Sequence, residues 1–194
     1  MKKYKMTKRL ILALGIIGLS VTGVRADSVN EKEITYADPT IYVENGKYYL
    51  TGTRNQEPLG FAILESTDLE HWTVPDGSSL QLILRKGDQT YGEKGFWAPQ
   101  YFKDKRTYYF TYTANEQTVI ASSKSVFGPF RQKEVKPIDA SAKNIDSFLF
   151  KDDDGKYYLY HVRFNKGNYL WVAEFDIKKG SIKPETLKQC MDCT

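Results

Sequence analysis

Residues 37–53 read ADPTIYVENGKYYLTGT. Two apolar, aromatic-rich runs flank Asn45-Gly46, a strong short-range turn signal, so the stretch predicts a β-hairpin. The pattern returns as APQYFKDKRTYYFTYT at 98–113 and as IDSFLFKDDDGKYYLYHV at 145–162. Every copy keeps a Tyr-Tyr pair at the head of its return strand. One position varies in kind: Asp38 in the first copy, Ala98 in the second, Asp146 in the third.

Each hairpin is followed by a further strand-like run: GFAILEST, TVIASS and YLWVAEFD. A turn and a fourth run come next: STDLEHWTV, SKSVFGPFRQKEV and KKGSIKPETLKQC. Each unit is therefore about four strands long, and the Tyr-Tyr pairs are spaced 60 and 49 residues apart. Four-stranded units repeated at this period predict blades of a β-propeller. A β-sandwich would show evenly spaced strands without this long-range self-similarity. The fold class is thus all-β, a propeller with about three blades present. Three blades cannot close a ring, and open edge strands are a liability, so further blades are expected beyond Thr194.

The chain opens with MKKYKMTKR, an apolar LILALGIIGL and a small-residue site ending VRA before Asp27. That order predicts a secretory signal peptide over 1–26, and hence a secreted or periplasmic protein. The apolar core is short for a membrane span. Residues 1–26 hold six of the 28 Lys and Arg and none of the 24 acids. The remaining 27–194 carry 22 bases against 24 acids, a net of −2. The basic balance belongs to the leader, so nucleic acid and membrane surfaces are not indicated as partners. The sequence carries no signal for an oligomeric state.

Cys190 and Cys193 form a lone CxxC at the C-terminus, with no βαβ pattern or second metal pair around it. A local disulfide or incidental thiols fit better than redox or zinc chemistry. His71 and His161 stand alone in strand-like runs. The DDDG run at 152–155 is consecutive where a calcium loop needs alternating acids, so it reads as a solvated hairpin turn. In STDLEHW, Ser66 and Asp68 suit a turn and Trp72 would pin it, a packing corner.

The first strand of a propeller blade lines the central channel, so equivalent positions ring the axis at one height. Asp38 and Asp146 should then converge on one mouth. Singly, each reads as a turn acid. Together they point to more, because Ala98 shows that the slot does not require an acid. Two converging carboxylates suit acid–base chemistry, since proximity drives their pKa values apart. GFWAPQ places Phe96 and Trp97 just before the second inner strand, where an indole face would suit a sugar ring. A plug between blades is the alternative for Trp97.

These motifs, with ESTDLEHW, FWAPQYF, SVFGPF and NIDSFLFKDDDGKYYLY, resemble the successive motifs of family 43 glycoside hydrolases from about residue 36 to the C-terminus. The resemblance implies a five-bladed β-propeller and inverting hydrolysis of α-L-arabinofuranosides or β-D-xylosides in plant polysaccharides. It implies that Asp38 is the general base and Asp146 the carboxylate that tunes and orients. It also implies that Trp97 shapes the sugar pocket, with Asn144 and Arg163 as further substrate contacts. A channel metal fits the family, but no residue of this chain identifies one, and no cofactor is expected.

Two departures stand out. Ser147 follows Asp146 where the family usually has Pro. The family's general acid, a Glu in a Glu-Gly-Pro setting on the fourth blade, has no counterpart here, and Glu185 lies in a connecting stretch. Inverting hydrolysis needs both a base and an acid. The expectation is therefore an N-terminal portion, 27–194, of such a hydrolase, with little activity alone. The rival readings are a non-catalytic carbohydrate-binding propeller and a purely structural one.

Overall fold

A computed structural model describes residues 34–191. The expected signal segment and Cys193 lie outside the described residues, while Cys190 is exposed. Among the described residues there are thirteen strands, and their pairing is antiparallel throughout.

Blade 1 consists of β1 (Ala37–Glu44), β2 (Lys47–Thr53) and β4 (Leu64–Ser66). Its outer edge is a bridge in which Thr73 exchanges two backbone hydrogen bonds with Glu65. Blade 2 consists of β6 (Trp97–Asp104), β7 (Thr107–Ala114) and β8 (Gln117–Ser123), edged by the Ser122–Arg131 bridge. Blade 3 consists of β9 (Asn144–Lys151), β10 (Tyr157–Phe164) and β11 (Asn168–Asp176). Two short strands, β12 (Ser181–Ile182) and β13 (Lys188–Gln189), both pair with β11. The repeated hairpins thus build three consecutive propeller blades.

The sequence reading erred on one strand. GFAILEST does not run as a single strand but divides at Ile63. Its first half, β3 (Gly60–Ala62), leaves blade 1 to pair with β5 (Leu82–Arg85), a strand absent from the sequence reading. Gly60 explains the divergence. Its φ is 144°, and a Cβ there would lie 2.1 Å from the Leu84 carbonyl oxygen, so only glycine permits this approach.

The turns follow their chemistry. Asn45 and Gly46 both take positive φ, as a two-residue hairpin turn requires. In the DDDG turn, Asp152 and Asp154 accept hydrogen bonds from the nearby backbone N–H groups of Asp153 and Lys156. In the Ser66–Trp72 corner, Asp68 accepts from the Glu70 and His71 N–H groups, and buried Trp72 donates to the Leu69 carbonyl.

The core lies between blades. Tyr49, Phe61, Phe96, Tyr101, Phe110, Tyr112 and Phe130 fill the space between blades 1 and 2 with aromatic rings. The filling between blades 2 and 3 is mainly aliphatic, with Ile120, Ile138, Leu149, Leu159 and Phe175. Each junction also repeats one polar tie. Lys103 pairs with Glu44 and sits 4.6 Å from the Tyr108 ring centroid. Lys151 pairs with Asp104 and sits 5.1 Å from that of Tyr157. The inner strands β1, β6 and β9 therefore pack side by side. The opposite faces of the two end strands, bearing Ile41 and Val43 on β1 and Phe148 and Phe150 on β9, are exposed.

Candidate active site

Each inner strand opens with the same irregularity. The register slips between Ala37 and Thr40 in β1 and between Trp97 and Gln100 in β6. It slips again in β9 opposite Tyr160 and Val162. The residue at the bulge is left-handed every time: φ is 47° at Asp38, 44° at Ala98 and 52° at Asp146. Asp tolerates this region better than most side chains because its short carboxylate bonds locally, whereas Ala has no such help. The three equivalent positions thus share a backbone shape as well as a sequence register.

The bulges are tied to their neighbours by threonines at the ends of the return strands. Thr53 Oγ1 accepts from the Ala98 N–H at 2.8 Å, and its hydroxyl donates to Asp38 Oδ2 at 2.9 Å. Thr113 Oγ1 accepts from the Asp146 N–H at 3.1 Å. Each threonine of one blade therefore holds the bulge of the next. The sequence analysis assigns these threonines no role. The final Thr shared by YYLTGT and YYFTYT was the signal that could have found them.

Asp146 feels Asp38. Its carboxyl is raised from its ordinary value, first by the protein packed around it and then by the Asp38 charge, although the residue as a whole is exposed. Trp97 immediately precedes the middle bulge and is 37% exposed. A Cβ on Gly95, at φ 67°, would come within 3.0 Å of the Trp97 indole, so that glycine gives the ring its place. Asp38, Asp146 and the Trp97 face thus belong to one end of the inner strands.

The three other expected contacts are buried side chains with partners of their own. Phe96 is 1% exposed and stacks on Tyr112 at 5.6 Å, inside the core between blades 1 and 2. Asn144 is buried, and its amide is spent on backbone and on the Gln117 side chain. Oδ1 accepts from Thr118 N–H, and Nδ2 donates to the Asp139 and Ala142 carbonyls, each at 2.8 Å. Arg163 is buried in an ion pair with Asp139 at 3.2 Å and donates to Ser141 at 2.9 Å. These groups are occupied in holding the 139–144 loop against blade 3. His161, on the same face of β10, is fully buried. Burial, followed by the Arg163 charge, pushes it down to about 4.

Among the described residues, no group of three His, Cys, Asp or Glu side chains is placed to hold a metal ion. A concavity of about 440 Å³ lies elsewhere, at the outer rim between blades 2 and 3, lined by Arg131, Lys133, Lys136, Lys178 and Lys179 among others.

Residues 32–194 match the model of glycosyl hydrolases family 43. The chain belongs to this family. It is 28% identical over 202 residues to an extracellular endo-α-(1→5)-L-arabinanase of Bacillus subtilis, a match covering 95% of this chain and 61% of that protein. A xylosidase/arabinosidase of Butyrivibrio fibrisolvens is 29% identical over 157 residues, covering 74% of this chain and 29% of that one. Among solved structures, an endo-1,4-β-xylanase of Bacteroides thetaiotaomicron superposes with a TM-score of 0.73 at 40% identity, covering 82% of this chain and 53% of the xylanase. A thermostable family-43 glycoside hydrolase gives a TM-score of 0.67 at 28% identity, with coverages of 81% and 54%. The family 43 chain described here therefore spans less than two thirds of the length of these relatives.

Proposed function

We propose that this family 43 chain is the carboxylate-bearing part of an exported, inverting glycoside hydrolase acting on α-L-arabinofuranosides or β-D-xylosides. The observation that carries the reading is the placement of Asp38 and Asp146 at equivalent bulges of blades 1 and 3, where blade 2 forms the same bulge with Ala98. Asp38 is the general base that takes a proton from water as it attacks the anomeric carbon. Asp146, raised by burial and by Asp38, favours its protonated form more than an ordinary carboxylate and orients the reacting groups. Trp97 offers an indole face to the apolar side of the sugar ring. The substrate preference is supported by the printed activities of the relatives, an arabinanase, a xylosidase/arabinosidase and a xylanase. Export is supported by the extracellular arabinanase relative and by the leader-like residues 1–26.

Inversion also needs a proton donor for the leaving group. The chain holds no Glu-Gly-Pro. General acid help is typically worth about 10²- to 10⁴-fold. The test uses the full-length natural protein with aryl α-L-arabinofuranoside and β-D-xyloside substrates, reading the product anomer by ¹H NMR. Hydrolysis with inversion that is lost in Asp38→Ala is expected. Sugar binding without turnover in the full-length protein would replace this reading with the carbohydrate-binding one.

A further inference from the structure

Thr53 occupies a place that no other threonine of the repeat shares. It is 5% exposed, and its single hydroxyl stands between two partners. Ala98 N–H can only donate, so Thr53 Oγ1 must accept from it. The hydroxyl proton is then left for the remaining neighbour, Asp38 Oδ2 at 2.9 Å. The backbone of blade 2 thereby sets the direction of a hydrogen bond to a carboxylate of blade 1. Thr113 receives the same backbone bond from Asp146, but its own blade carries Ala98 at the bulge and offers no carboxylate. In blade 3 the equivalent position is Val162, paired with Ile145 as Thr53 is paired with Ala37. A valine has the shape of threonine and no proton to donate.

We propose that Thr53 is the positioning residue for Asp38, and that Val162 withholds the same support from Asp146. The two acids lie on equivalent backbones, so a hydroxyl exchanged for a methyl is what differentiates them. Asp38 is held in one orientation as a hydrogen-bond acceptor, suited to taking a proton from water. Asp146 lacks the equivalent donor and keeps the freedom to carry a proton itself. The inference rests on the reading of Asp38 as general base given above, and it assigns the cause of that role to a residue outside the acid pair.

The experiment uses the full-length natural protein and compares Thr53→Val, Thr53→Ser, Val162→Thr and Asp38→Asn. Initial rates are read against pH, and the ¹³C carboxyl resonance of Asp38 is read by NMR. Thr53→Val should lower kcat about 10- to 100-fold with KM within about twofold, the size expected for losing one charge-assisted hydrogen bond. Thr53→Ser, which keeps the hydroxyl, should restore kcat to within about threefold of wild type. The Asp38 carboxyl resonance should shift in Thr53→Val and stay in place in Thr53→Ser. Val162→Thr, which supplies the missing donor beside Asp146, should change kcat with Thr53 left intact.

A wild-type kcat in Thr53→Val overturns the proposal. So does a Thr53→Ser variant as slow as Thr53→Val, which would mark a packing role. The general-base reading fails separately, through an Asp38→Asn variant as fast as wild type. In that event an Asp38 carboxyl resonance that shifts in Thr53→Val and not in Thr53→Ser still supports the positioning contact, and an unmoved resonance overturns it.

Discussion

Asp38, Ala98 and Asp146 occupy one turn of backbone in three consecutive blades, with φ angles within 8° of one another. A carboxylate is not what that turn requires, because Ala98 adopts it with a bare methyl. Blade 2 thus serves as an internal control for blades 1 and 3. The acids also have a conformational reason to be there, since Asp visits the left-handed region more readily than Ala. That reason operates equally in all three blades, so it cannot account for the difference between them. What differs is the surroundings of each side chain. Asp38 receives the Thr53 hydroxyl, and the Asp146 carboxyl receives partial desolvation and the charge of Asp38.

The comparison breaks most visibly at Asp38. Asn keeps the left-handed preference and the size of Asp but cannot act as a base. Asp38→Asn in the full-length protein should fold with an unchanged circular dichroism spectrum and lose about a thousandfold in kcat. The same substitution at the control position, Ala98→Asn, should leave kcat within about threefold, because no catalytic group is removed. Equal losses at both positions would mean that the bulge geometry, and not the carboxylate, carries the activity.

A second contrast lies one residue before the threonines. The equivalent positions are Gly52, Tyr112 and His161. Tyr112 is fully buried and donates to the Tyr91 carbonyl at 3.0 Å, whereas His161 is fully buried and held neutral. Its folded value of about 4 lies below its ordinary 6.5, so the unfolded chain binds a proton that the folded chain refuses. The associated stability is complete above pH 6.5 and is lost as pH falls through 4. The loss amounts to about 3 kcal/mol, from roughly 1.4 kcal/mol per unit. Chemical denaturation of the wild type between pH 7 and 4 should show that decline, and His161→Phe should flatten it. A decline of the same size in the variant would trace the acid sensitivity to other groups.

Asp146 carries the opposite sign. Its carboxyl is raised in the folded state, so ionisation is costlier there than in the unfolded chain. Stability from this group is present below the ordinary 3.8 and is lost as pH rises through the raised value. Asp146→Asn should therefore raise Tm at pH 7 and leave it unchanged at pH 3, while kcat falls about 10- to 100-fold. A catalytic group that destabilises the fold is a common trade in active sites. A lower Tm at pH 7 would show instead that the charge of Asp146 stabilises its blade.

Much of this was legible in the chain. The Tyr-Tyr hairpins appear where the repeat placed them, because strand alternation and the Asn45-Gly46 turn are local signals. Asp38 and Asp146 could be paired from sequence because repetition converts register into proximity. The divergence of β3 toward β5 was hidden, since it depends on what Gly60 approaches across 20-odd residues. The burial of Phe96, Asn144 and Arg163 was hidden for a related reason. Their residue types fit a sugar pocket, but their partners, Tyr112, Thr118 and Asp139, are set by tertiary packing. Thr53 was overlooked because a repeated threonine looks like strand propensity until its hydroxyl is seen between Asp38 and Ala98.

The smallest effect is expected at the control position itself. Ala98→Gly removes the left-handed penalty on a side chain, about 1 kcal/mol. It also gives the unfolded chain more freedom to lose, roughly 0.5–1 kcal/mol. The two terms oppose each other, and the glycine N–H still donates to Thr53. Tm should therefore move by less than about 2 °C. Activity should stay within about twofold, since Thr53 and Asp38 keep their contact. A clear gain in Tm would show that Ala98 is strained and that blade 2 tolerates the bulge at a cost the acids of blades 1 and 3 avoid. A clear loss of activity with Tm unchanged would show that the methyl of Ala98 presses Thr53 toward Asp38, and blade 2 would no longer be a silent control.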